Sequence, residues 1–146
     1  MLIGCGKNDK TTTDEQGGSP AGGDGLSQTQ LTHGIGPIQP FNLEPLDDAR
    51  AAAGKEIFEV KCIACHKIDE RLVGPPLSGV TERRSPGFIM NMILNPDQMV
   101  KQHPEVKAML AQYYVPMTFQ NVTEEDARSI LEYLRTLKSK DLTKGE

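Results

Sequence analysis

The chain reads as an all-α protein. Three observations lead there. Four segments beyond residue 46 set apolar side chains at three- and four-residue steps. Each of these opens on a capping residue or a proline. No segment alternates apolar and polar residues regularly enough to make a strand, and there are no internal repeats.

The elements follow in order. Asp47 or Asp48 caps a first helix running to about Lys61, with Ala51, Gly54, Ile57, Phe58 and Lys61 at helical steps. "SPGFIMNMILNP" opens a second with Ser85 as cap and Pro86 at the first helical position; Phe88, Ile89, Met92 and Ile93 form its stripe and Pro96 closes it. "HPEVKAMLAQYY" gives a third from Pro104, with Val106, Met109, Leu110 and Tyr113 inward and an end before Pro116. In "TEEDARSILEYLRTL", Thr123 and Asp126 suit a capping box, and Ala127, Ile130, Leu131, Leu134 and Leu137 mark a strongly amphipathic last helix.

The segments ahead of these helices are different in kind. From residue 6 to 30 only Ala21 and Leu26 are apolar, too little to offset the entropy lost on ordering. Residues 33–46 hold more Pro and more apolar side chains and are expected to run extended, packed along the domain. The division that results is 1–5 as the end of a signal peptide, 6–40 as a flexible to extended linker, 41–140 as the folded domain, and 141–146 as a tail. Leu2-Ile3-Gly4-Cys5 resembles the lipobox of bacterial lipoproteins, in which the cysteine carries lipid. Either the box ends a longer signal peptide whose apolar stretch precedes Met1, or the match is accidental.

Composition narrows the function. Net charge is −4, from 16 basic and 20 acidic residues, with no basic run, which argues against nucleic acid as a partner. Residues 47–146 are close to neutral, with 15 acids against 14 bases. Aromatic residues are 5% of the chain and tryptophan is absent, so few large side chains exist to fill a core; a bulky apolar cofactor suits that shortage. No run reaches the roughly 20 apolar residues of a membrane-spanning helix.

The chemistry is concentrated in Cys62-Ile63-Ala64-Cys65-His66. A structural zinc site needs four ligands, and beyond this motif only Cys5, His33 and His103 are available. A thioredoxin-type pair needs a βαβ setting, which helices do not supply. Covalent haem attachment uses every residue: two thiols spaced to add across the two vinyl groups of a porphyrin, and a histidine placed to bind the iron.

At this motif the chain resembles the class I c-type cytochromes, and the resemblance runs from about residue 47 to 137. Gly54 and Phe58 match the family's Gly and aromatic residue on the helix before the haem clamp; the Gly lets the last helix, here with Tyr133 and Leu134, cross at close range. Gly74-Pro75-Pro76-Leu77-Ser78-Gly79 matches the family's Gly-Pro-x-Leu-x-Gly. The resemblance implies about four to five helices around one covalently bound haem c, preceded by an extended N-terminal tail. It implies Cys62 and Cys65 as attachment points, His66 as one axial ligand, and the Pro75 carbonyl as the acceptor that orients His66. Leu77 is then expected to pack on the haem face, and Arg83, or equally Arg84, to lie near a propionate. Met117 is the implied sixth ligand, from the loop before the last helix, although Pro precedes it here where the family often has Met-Pro. Met90, Met92 and Met109 fall on apolar helical faces as core filler, Met99 in a loop, and His103 at a helix start.

The implied activity is one-electron transfer without catalysis of a chemical reaction. Donors and acceptors are expected to be respiratory redox complexes, met at the thioether edge near Cys62 and Ile63 through a small transient contact. A haem subunit of a larger complex shares this chemistry. An open sixth site would instead make the protein reactive toward gases or peroxide. By the same resemblance, attachment of this type implies a place outside the cytoplasmic membrane; together with the lipobox match it favours lipid on Cys5 as the anchor, and a monomer is expected.

Overall fold

The computed structural model describes residues 25–139. The signal-peptide and tail assignments, most of the linker and Cys5 lie outside them. The described residues contain seven helices and no strand: α1 (Gln28–His33), α2 (Asp48–Lys61), α3 (Val80–Arg83), α4 (Pro86–Leu94), α5 (Pro96–Gln102), α6 (Pro104–Tyr113) and α7 (Glu124–Thr136).

Helix starts follow local hydrogen bonding. The Asp47 carboxylate accepts from the Arg50 amide at the head of α2, and Ser85 Oγ from the Phe88 amide at the head of α4, where Pro86 lacks an N–H to satisfy. The box at α7 closes both ways: Asp126 N–H donates to Thr123 Oγ1 at 3.1 Å, and Thr123 N–H to the Asp126 carboxylate at 2.9 Å. α2 ends where Cys62 N–H bonds the Phe58 carbonyl, so the helix terminus itself delivers the cysteine motif.

The α2–α7 crossing is the principal helix contact. Gly54 makes it possible, because a Cβ there would stand 1.9 Å from the Ser129 carbonyl oxygen. Four residues on, the Phe58 ring meets Tyr133 with centroids 5.4 Å apart and planes tilted by 57°. Phe58, Ile89, Met90, Ile130, Leu131 and Leu134 form the main core around this crossing. Beside it, Glu132 is fully buried between two guanidinium groups, Arg128 at 2.9 Å and Arg135 at 2.6 Å. Arg135 also donates to the Glu44 carbonyl, and Arg128 lies over the Phe41 ring, so this charged cluster ties residues 41–47 to α7.

The flexible reading of residues 25–30 does not hold. Ser27 caps α1, and Leu26, Ile35 and Ile38 are buried. What holds this strap is side-chain bonding to its backbone. Asn91, without exposed surface, donates to the carbonyls of His33 (2.9 Å) and Ile38 (3.0 Å) and accepts from the Ile38 amide (2.9 Å). Asn95 donates to the Ile35 carbonyl, and the Ile35 amide to the Met99 sulfur at 3.1 Å. Met99, expected in a loop, is instead fully buried on α5, in a second core with Leu26, Ile35, Phe88 and Val106. Pro96 does close α4, but it also starts α5, since an N1 proline serves both purposes.

Candidate functional site

The turn after α2 folds back on itself through Cys65 and His66 amides donating to the Cys62 carbonyl, at 3.1 and 3.0 Å. That puts both thiols and the imidazole at the border of one cavity of about 320 Å³. Its remaining walls are mostly apolar: Leu77 from the loop before α3, Ile89 and Met92 from α4, Val106 and Met109 from α6, and Leu134 from α7. α6 packs chiefly on α5, and its stripe of Val106, Met109, Leu110 and Tyr113 borders this space.

His66 is held on two sides. Its Nδ1 lies 3.1 Å from the Pro75 carbonyl oxygen, which can only accept, so the ring proton sits on Nδ1 and Nε2 keeps its lone pair. Gly74 lets the backbone press against the ring, for a Cβ there would come within 2.5 Å of His66 Cε1. Burial pushes the Cys62 thiol up to about 11, with Lys61 pulling it down and Cys65 pushing it up by smaller amounts. A sulfur that stays protonated at neutral pH is a poor redox nucleophile, which weakens the thioredoxin-type alternative. Among the described residues, no three His, Cys, Asp or Glu side chains gather as a group that could hold a metal ion.

Of the residues singled out from sequence, Cys62, Cys65, His66, Pro75, Leu77 and Met117 all border the cavity. Met117 is half-buried in the stretch after α6, whose course is fixed from α2: the Lys61 ammonium donates to the carbonyls of Gln120 (3.1 Å) and Asn121 (3.3 Å). Arg83 does not border it. Its guanidinium turns back to the Ser78 carbonyl at 2.8 Å, while Arg84, one residue on in extended backbone, lines the cavity. Arg84 pairs with Glu105 and stands over the Phe88 ring. His103 is also away from the cavity lining: its Nε2 donates to the Leu31 carbonyl, and its ring meets Phe88 edge-on. The sequence pattern marks Lys61 only as part of a helical stripe. Its pinning of the Met117 loop has no local signal, since the carbonyls it meets are about 60 residues away.

The residues present fit a covalently held haem. An apolar cavity carries two thiols, an imidazole with a free Nε2 and a thioether on its border, and a cationic side chain for a carboxylate.

Comparison with known proteins agrees. Residues 51–138 match the Cytochrome c family. Cytochrome c2 of Rhodopseudomonas palustris is 28% identical over 113 residues, covering 60% of this chain and 98% of the relative. Cytochrome c-551 of Ectopseudomonas mendocina is 31% identical over 88 residues, covering 60% of this chain and 100% of the relative. Among solved structures, cytochrome c from Rhodothermus marinus superposes with a TM-score of 0.71 at 43% identity, covering 76% of this chain and 97% of that one. With its family match, its helical fold and a clamp set into an apolar cavity, the chain belongs to the cytochrome c family and carries one covalently attached haem c.

Proposed function

We propose that this protein is an electron carrier. It passes single electrons between redox proteins of a respiratory chain on the outer side of the cytoplasmic membrane, tethered there by lipid on Cys5. When bound, the haem supplies a one-electron ferric/ferrous couple at its iron. Cys62 and Cys65 would hold it through thioether bonds, and His66 would offer Nε2 to the iron while the Pro75 carbonyl fixes its tautomer. Met117 would supply a thioether sulfur to the iron, and Arg84, rather than Arg83, would neutralise a propionate. With His66 and Met117 both given to the iron, no exchangeable site would remain for a substrate, and these residues would serve to hold, orient and keep water away. The apolar walls disfavour the extra positive charge of ferric iron and so raise the potential, and a soft thioether acts in the same direction.

One observation carries this reading: the clamp, the orienting carbonyl and Met117, separated by up to 55 positions in sequence, border a single apolar cavity. The test is a redox titration of the haem-loaded protein, followed by carbon monoxide addition to the reduced form. A reversible one-electron transition and a spectrum barely altered by the gas are expected. Rapid, strong binding of carbon monoxide means that the sixth position is open, and that the protein is a gas- or peroxide-reactive one.

A further inference from the structure

The segment that carries Met117 leaves the end of α6, and α6 stands apart from the main core. Tyr113 closes the helix, and Met117 lies four residues on. α6 packs chiefly on α5 rather than on the α2–α7 crossing. Its head is tied instead to the strap of residues 26–38. At the N-cap, His103 Nε2 donates to the Leu31 carbonyl at 3.1 Å, while Nδ1 is buried without a partner among the described residues, so this is the ring's one hydrogen bond. Three residues on, Val106 is buried in one cluster with Leu26 and Ile35 of the strap.

The strap is itself seated on α4 and α5. Asn91 bonds its backbone three times, Asn95 and the Met99 sulfur meet Ile35, and Ser85 Oγ donates to the Thr32 carbonyl at 2.8 Å. It thus bridges α4 to the head of α6. Phe88, Val106 and Met109 pack in the strap's cluster and also line the haem cavity, whereas Leu26, Leu31, Ile35 and His103 do not line it. One layer of side chains separates strap from cavity. Two further ties hold α6: Arg84 with Glu105 at its head, and Arg71, which donates to the Gln112 carbonyl and lies over the Tyr113 ring, at its end. Both lie at the surface, where such contacts contribute little. The strap's contacts are buried, where a lost partner costs more.

We propose that the strap is the positioning element for Met117. Acting through His103 and Val106, it holds α6 against the cavity and keeps the thioether from swinging away from the iron. The inference rests on the electron-carrier reading above, which gives Met117 to the iron, and adds what keeps it there. A loosened strap populates a form with α6 and the Met117 segment displaced, and an added ligand for the iron binds in proportion to that population.

The test is a titration of the oxidised, haem-loaded full chain with imidazole, followed by loss of the weak near-red band of sulfur on ferric iron. His103→Leu removes the bond to Leu31, and His103→Gln keeps an N–H donor on a side chain of similar reach. His103→Leu should bind imidazole about tenfold more tightly than the wild type, and His103→Gln should stay within about threefold of it. Glu132→Ala is the control, since it loosens the α7 cluster away from α6: the denaturation midpoint should fall while imidazole affinity changes by less than about twofold. Should His103→Leu not accumulate with haem, Leu26→Ala is a milder loosening of the strap and is read by the same criteria. A strap variant that unfolds earlier yet binds imidazole as the wild type does overturns the inference, leaving the strap a brace for stability alone. Equal tightening in Glu132→Ala also overturns it, because binding then follows global unfolding. Equal affinity in the wild type and Met117→Ala overturns more: it removes Met117 from the iron, and this inference with it.

Discussion

Replacing Met117 by Ala in the haem-loaded protein is expected to abolish the weak near-red absorption band of the oxidised form and to lower the reduction potential. The band belongs to sulfur on ferric iron, so it goes when the sulfur goes. The potential falls because a thioether is a soft, weakly donating ligand that favours ferrous iron, and water or a harder donor in its place favours ferric iron. The drop should be on the order of 0.1–0.2 V, a modest part of the roughly 0.8 V that axial ligands span. Carbon monoxide should then bind the reduced variant readily. Global stability should change far less, because Met117 is only half-buried and belongs to neither buried core cluster. A variant that keeps both band and potential means that another side chain holds the iron.

The converse is expected at Glu132. Its carboxylate is fully buried, lies within 2.9 Å of Arg128 and 2.6 Å of Arg135, and accepts weakly from the Asp47 amide at 3.4 Å. Replacement by Ala leaves two guanidinium groups close together without a counter-charge and an amide without its acceptor. Breaking such a buried arrangement from one side costs about 3–5 kcal/mol, against a total stability of about 5–15 kcal/mol for a domain. Both arginines retain some exposure, so partial rescue by water keeps the loss toward the lower end. Denaturant titration should show a lower midpoint at an unchanged slope. The potential should hardly move, since Glu132 is not part of the cavity lining. A loss under about 1 kcal/mol would mean that the cluster is an ordinary surface network.

These two residues illustrate what the sequence discloses. α2, α4, α6 and α7 were legible because each combines a capping residue or N1 proline with an apolar stripe, and both signals are local. The clamp was legible for the same reason, since its three reactive residues lie within five positions. α1, α3 and α5 are four to seven residues long, too short for a stripe to show. The packing of residues 33–46 was expected from their Pro and apolar content, but the burial of Leu26 ahead of α1 was not, because the Phe88 and Met99 it joins lie more than 60 positions away. Met99 was misplaced for a related reason: the proline that ends one helix was not credited with starting the next. The step from Arg83 to Arg84 turns on the backbone direction at the end of α3, which neighbouring identical residues cannot encode.

The most direct measurement is the mass of the matured protein under denaturing conditions. The account requires the chain to weigh more by one haem, with the addition lost when Cys62 and Cys65 are both replaced by Ala. A correctly exported chain at its unmodified mass, or a haem that extracts freely into acidic organic solvent, contradicts it.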